Sequence, residues 1–475
     1  SLEGIGMECN MMLDTGVVMS RIVGGPSEKA GIMAGDRIVM VEGEVIAGVG
    51  MSTDDVVSKL KGRKGTEVNV SVRRNGVPDL LDFKLTRDKI PSFSLDIAYM
   101  VSPEIGYISL NKFSATTHQE FTEALAGLQQ NGMSGLILDL RGNGGGFLDA
   151  AIRLTDELLE PDQLIVYTDG RRRPRNYAFS KRNGLFESGP LVVLIDEWSA
   201  SASEIVAGAV QDNDRGLIVG RRSFGKGLVQ EQVQLSDGSA LRLTVARYYT
   251  PSGRSIQKPY DDDQQAYHHE TLLRLLHSDE EPENIPDEKD NPDSTGSESD
   301  QATDKTGTSD HYRTRSGRLV FGGGGITPDI TIEHETGEHT RFFNIVANRG
   351  LIYRFAFDYA DRHRRRLENY GTASAFIKGF EISPAAFQAF LEFVREQGVR
   401  GEYGRGEESE HLIRTYLKAY IGRNVFGAEA FFPVIHTVDP GFKKAVKIIA
   451  DQWNEALALL QGPAEQTPED SAQDV

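Results

Sequence analysis

Two short, almost wholly apolar runs constrain this chain more than any other feature: Leu136–Leu140 and Leu191–Ile195. Five residues are too few for a buried helix and alternate too little for a strand with one wet face, so both read as buried strands. Each leads into small residues, Gly142-Asn143-Gly144-Gly145-Gly146 after the first and Ser199-Ala200-Ser201-Ala202-Ser203 after the second. Gln119–Gln130 is amphipathic and Leu148–Leu159 reads as a helix. This alternation from about residue 95 to 255 favours an α/β core. Val229–Leu235 and Ala240–Tyr249 flank Ser236-Asp237-Gly238-Ser239, a hairpin signal.

With 475 residues the chain has room for several such cores. Residues 4–88 read as a small β-rich module. Gly16–Val23 and Ile38–Val41 are strand-like, and Thr66–Arg74 alternates up to an Asn75-Gly76 turn. Ser52-Thr53-Asp54-Asp55 offers an N-cap ahead of Val56, Val57 and Leu60. Residues 340–462 are mostly helical, with Ser383-Pro384 and Asp439-Pro440 opening helices. Segment 258–318 holds too few apolar side chains to offset its ordering entropy, so it and the tail 463–475 read as disordered.

Those two segments also explain the charge. The chain carries −18 in all, but residues 261–310 hold 16 Asp/Glu against 3 Lys/Arg. Residues 464–475 add four acids and no base, which leaves a nearly neutral body. Such a balance argues against a general nucleic-acid binder, which needs an excess of Lys and Arg. Cys9 is the single cysteine, so neither a disulfide framework nor a Cys-rich metal site is expected. No apolar run approaches the roughly 20 residues that span a bilayer. A chain that starts at Ser1 reads as a processed or truncated form, so its lack of a signal peptide says nothing about compartment.

Four stretches have chemical potential. Glycines at 142–146, between a strand and a helix, present bare N–H groups that suit a developing oxyanion, or simply make a tight turn. The serines at 199–203 stand at a helix start, where any one of them alone reads as an N-cap. Gly220–Gly227 nearly matches a phosphate loop. Gly227 supplies no hydroxyl for magnesium, however, and Leu228–Leu235 alternates like a strand, so nucleotide binding is not expected. Lys226 reads either as a surface lysine or as one turned inward, where desolvation lowers its pKa and makes it a usable base. There is no G-x-S-x-G elbow and no H-E-x-x-H helix, so a serine hydrolase here would use lysine as its base. Finally, Ala30–Ile38, with Gly4-Ile5-Gly6-Met7 upstream, places glycine turns around an apolar core.

In their order, these stretches resemble the C-terminal processing peptidases, or tail-specific proteases: a PDZ module, L-D-L-R-x-N-x-G-G, S-A-S-A-S-E, then F-G-K-G-x-x-Q. The resemblance implies an α+β multidomain fold with a PDZ domain at 4–88 and a helical C-terminal domain at 340–462. Between them it implies an α/β, ClpP/crotonase-like peptidase core at 89–257 and 319–335. It implies a serine endopeptidase that binds the C-terminal tails of protein substrates. Ser201 would be the nucleophile, Lys226, 25 positions later, the general base, and Gln230 an orienting residue. The N–H groups of Gly146 (or Gly145) and Ala202 would form the oxyanion hole. Gly4, Ile5, Gly6 and Met7 would form the PDZ carboxylate loop, facing a Ser52–Leu60 helix. No metal or cofactor is implied. The implied partners are proteins or peptides with free C-terminal tails, not nucleic acid; a second copy or an adaptor is the candidate partner of the helical region. The implied location is the periplasm or cell envelope of a Gram-negative bacterium. The alternative is a non-catalytic PDZ scaffold on an inactive protease core, which the intact Ser, Lys and Gln set disfavours.

Overall fold

The computed structural model describes residues 3–12, 14–258, 311–333, 341–399 and 407–461. Most of the acidic segment and the tail, both expected to be disordered, fall outside the described residues. The chain forms two compact units, Ser1–Phe93 with Glu335–Lys443 and Ser94–His334 with Lys444–Val475.

The first unit opens with β1 (Glu3–Gly4), β2 (Met7–Met12), β3 (Thr15–Arg21), α1 (Pro26–Ala30), β4 (Arg37–Val41) and β5 (Glu44–Val45). It continues with α2 (Thr53–Leu60), β6 (Glu67–Arg73), β7 (Leu81–Thr86) and β8 (Asp88–Lys89). Strands β2-β3-β4-β6-β7 make an antiparallel sheet with β2 at one edge. Val68, Val70 and Val72 of β6 are buried while Glu67 and Asn69 are exposed, the alternation expected of a strand with one wet face. Ser52 caps α2 as its position requires: its hydroxyl accepts the Asp55 N–H, and the Asp55 carboxylate accepts the Ser52 N–H.

Helices between Arg341 and Ile435 complete this unit around a second core that includes Phe355, Phe376, Phe390 and Leu417. They engage the β-rich module through the helix Leu351–Arg362 and the short helix Arg364–Glu368. Arg37 pairs with Asp361 at 3.1 Å, and Arg364 Nη2 donates to Ala34 O at 2.6 Å. Gly35 has φ 93°, and a Cβ there would lie 2.5 Å from Asp361 Oδ1, so only glycine permits the approach.

The second unit carries β9 (Leu95–Met100), β10 (Ile105–Leu110), α3 (Thr117–Gln130), β11 (Gly135–Asp139), α4 (Leu148–Asp156), β12 (Leu164–Gly170) and β13 (Arg173–Phe179). Next come β14 (Leu191–Ile195), α5 (Ala202–Asp212), β15 (Leu217–Gly220), β16 (Leu228–Gln234), β17 (Ala240–Tyr249), β18 (His311–Arg313), β19 (Leu319–Phe321) and β20 (Ile330–Thr331). The main sheet has the order β20-β15-β14-β11-β10-β9 and is parallel except at β9. The two apolar runs are its adjacent central strands, Leu136 opposite Leu191 and Leu138 opposite Val193, with every residue of both strands buried. Parallel strands need crossovers, and α3, α4 and α5 supply them, so the loops at the strand C-terminal ends converge on one edge. A second, antiparallel sheet runs β13-β12-β17-β16 and contains the expected hairpin. Strand β18 lies within the segment expected to be disordered; it pairs with β19, and three residues are too few to carry a periodic signal.

One fully buried ion pair braces this unit. Arg254 donates to Asp212 Oδ1 at 2.7 Å, to Gln211 Oε1 at 2.6 Å and to Phe321 O at 2.9 Å. Removing one partner of such a pair strands a buried charge. Arg254→Met should therefore cost about 3–5 kcal/mol, read as a lower midpoint in urea denaturation. A midpoint equal to wild type would show that the pair contributes no stability.

Candidate active site

The glycine run after β11 is squeezed between two backbones. Phe113 N donates to Gly145 O at 2.9 Å, and Phe147 N to Phe113 O at 2.9 Å. A Cβ on Gly146 would collide with Phe113 O, and one on Gly145 would lie 2.7 Å from Ser201 Cβ. Both glycines have positive φ, 93° at Gly145 and 150° at Gly146. Asn143 fixes the turn: its Oδ1 accepts Gly145 N at 2.9 Å and its Nδ2 donates to Leu110 O at 2.9 Å. Gly145 N is thus occupied, whereas Gly146 is exposed. Ala202 opens α5, where a first-turn N–H has no intrahelical acceptor.

The three serines of the following loop have different fates. Ser199 Oγ donates to Leu140 O at 2.8 Å and Ser203 Oγ to Asn143 O at 2.8 Å, and both side chains are buried. These hydroxyls tie the serine loop to the glycine loop. Ser201 lies between them, half-buried, with φ 55° and ψ −109°, a conformation rare for a residue with a Cβ. It lines a cleft of about 880 Å³ together with Gly144, Gly145, Gly146, Ala202, Lys226, Gln230 and Tyr248. Every candidate catalytic and oxyanion residue of this unit therefore borders one cavity.

Glu204, one turn into α5, organises this geometry. It is fully buried and accepts four hydrogen bonds. Oε1 receives Ser223 Oγ at 2.6 Å and Gly225 N at 2.7 Å; Oε2 receives Ser201 N at 2.7 Å and Lys226 N at 2.9 Å. Burial raises its carboxyl above the usual value although these hydrogen bonds oppose the shift. Tyr248 adds a second tie, its hydroxyl lying within hydrogen-bond reach of the carbonyl oxygens of both Ser201 and Lys226, with one proton to share between them. Gly227 N donates to Gln257 Oε1 at 2.9 Å. Glu204 and Tyr248 were not singled out in the sequence. Glu204 had a signal, the Ser-x-x-Glu spacing of a capping box at residues 201–204; Tyr248 had none, because its role depends on how β17 crosses the site.

In the first unit, Gly4, Ile5, Gly6 and Met7 line a small pocket with Cys9 of edge strand β2 and Val57 and Leu60 of α2. Gly6 O accepts Ile22 N at 3.0 Å, and Ile5 O accepts Ser27 N at 2.8 Å and Ser27 Oγ at 2.6 Å, which secures the loop. Among the described residues no cluster of His, Cys, Asp and Glu could hold a metal ion, and no helix is long and apolar enough to cross a membrane.

Comparison with known proteins follows the same division. The model of peptidase family S41 matches residues 104–265, a PDZ domain model matches 17–74, and a family of unknown function matches 342–427. The carboxy-terminal-processing protease of Bartonella bacilliformis is 41% identical over 259 residues, 54% of this chain and 58% of that protein. The carboxyl-terminal-processing protease of Synechocystis is 38% identical over 263 residues, 54% of this chain and 60% of that protein. The chain thus spans about three fifths of the length of these relatives. The solved photosystem II D1 C-terminal processing protease is 35% identical, with 59% of this chain and 78% of that chain covered and a TM-score of 0.33.

The buried Glu204 gives a signed pH dependence. At pH below about 4.3 both folded and unfolded chains hold its proton. As pH rises, the unfolded chain ionises first, so folding carries a growing penalty until the raised folded value is passed. The stability difference between wild type and Glu204→Gln should move in favour of the variant as pH rises above the ordinary glutamate value of about 4.3, as read by thermal melting. The opposite slope would mean that hydrogen bonding outweighs burial at this carboxyl.

Proposed function

From the premise that this chain belongs to peptidase family S41 and carries a PDZ domain, we propose that it is a serine endopeptidase. In this reading it captures the C-terminal tails of protein substrates and hydrolyses peptide bonds with a Ser201–Lys226 dyad. The observation that carries it is the fate of the three serines: two hydroxyls are consumed by loop carbonyls, while Ser201 borders the cleft shared with Lys226.

The chemistry runs in two steps. Ser201 Oγ attacks the scissile carbonyl carbon while the Lys226 amine takes its proton. The oxygen of the tetrahedral intermediate faces the N–H groups of Gly146 and Ala202, each worth about 3 kcal/mol when well placed. The intermediate collapses as the lysine ammonium returns the proton to the leaving amine, and water then hydrolyses the ester by the same proton route. Gln230, exposed on β16 and lining the cleft, orients Lys226. No step calls for a metal or cofactor. In the PDZ domain a substrate tail adds a strand to the β2 edge, and its carboxylate meets the backbone of Gly4–Met7. The family resemblance supports a cell-envelope location in a Gram-negative bacterium.

The test uses an unfolded protein substrate ending in apolar residues. Ser201→Ala and Lys226→Ala should each lower kcat by at least about 1,000-fold, while a tail peptide still binds. Unchanged cleavage by either variant would overturn the dyad. Binding without turnover by wild type would favour the inactive-scaffold reading.

A further inference from the structure

The cleft beside Ser201 holds a cation that the hydrolytic mechanism does not use. Strands β16 and β17 pair Gln230 with Thr244 and Gln232 with Arg242. Paired residues of an antiparallel ladder share a face, and Gln230, Gln232 and Arg242 all line the cleft. Arg242 is exposed, and Gln232 Oε1 lies 3.5 Å from its Nη2, long for a hydrogen bond.

The charges around it are unevenly satisfied. Asp149 is the one carboxylate among the residues lining the cleft, and it is paired with Arg153. His118 is engaged by the buried Glu157 carboxylate at 2.8 Å. Glu231, the neighbour of Arg242 across the hairpin and one residue off, is paired with Arg173. Among the described residues neither Lys226 nor Arg242 makes an ion pair. The wall of the cleft is therefore electropositive although the chain carries −18. An exposed guanidinium in this position, held among the described residues only by the long contact to Gln232, can turn two of its donors to a carboxylate and grip it in bidentate fashion.

We propose that Arg242 is a specificity residue that selects an acidic side chain, Asp or Glu, in the substrate polypeptide. The proposal rests on the peptidase reading above. Two residues of strand advance about 7 Å, so an extended substrate on this face meets Arg242 two residues beyond the point where it passes Gln230. The acidic side chain is thus read a few residues away from the bond at Ser201, on one side of it only.

A quenched-fluorescent peptide with Gln at its polar positions serves as the parent. In a series, Glu replaces Gln singly at each polar position on either side of the scissile bond. For wild type, Glu at one position should raise kcat/KM roughly tenfold over the parent, and added salt at 0.5 M should shrink that ratio. In Arg242→Gln the Glu/Gln ratio should fall to near one, and Arg242→Glu should instead favour Lys at that position. Each ratio is taken within one variant, so a partial folding defect cancels. Cleavage of the parent with no acidic preference anywhere, or a preference that survives in Arg242→Gln, overturns the proposal and leaves the peptidase reading standing. No cleavage of any peptide by wild type overturns both.

Discussion

The Glu204 carboxylate is the constraint on which the rest of the candidate site depends. Hydrogen bonds to an ionised acceptor are stronger than neutral ones, and in a dry interior a carboxylate must collect several of them. Glu204 does so by drawing two remote segments together: the backbone that holds Ser201, and the 223–226 loop that holds Lys226. Ser223 extends the link, since its hydroxyl also accepts Ile326 N at 2.6 Å. The unusual backbone of Ser201 is therefore over-determined from several directions, the condition under which such a conformation persists.

Around this centre the chain uses glycine where two backbones must nearly touch. Gly145 and Gly146 let the loop after β11 pass between Phe113 and the Ser201 turn, which brings the exposed Gly146 and a helix start to the same cavity. The same device recurs in the other unit, where Gly35 admits Asp361 and so lets the helical region brace the PDZ domain. In that unit β2 forms one edge of the sheet among the described residues, and Arg364 of the helical region donates to Ala34 O.

Much of this was legible in the residues. The central strands were visible because a run such as Leu191–Ile195 has no wet face, and the α2 cap because Ser52 and Asp55 stand three apart. The pairing of Arg37 with Asp361 was not, since 324 residues separate the two and neither carries a local pattern. Tyr248 was equally hidden, as a tyrosine in an alternating strand reads as ordinary packing until its hydroxyl is seen between two carbonyls. The charge balance gave no hint of the cleft, because acidic residues at 261–310 and 464–475 dominate the sum while Lys226 and Arg242 border the cavity.

The sequence by itself determined the elements and the order of the motifs, because periodicity, capping and glycine placement act over a few residues. Read one by one, each of the three serines passes for an N-cap, and it is the order of the motifs, through the family resemblance, that points to Ser201. Only the tertiary structure decided that Ser199 and Ser203 spend their hydroxyls on Leu140 and Asn143 while Ser201 borders the cleft. The physical reason is that a hydroxyl's availability depends on which carbonyl lies within 3 Å of it. Here those carbonyls come from a loop some 60 residues earlier in the chain.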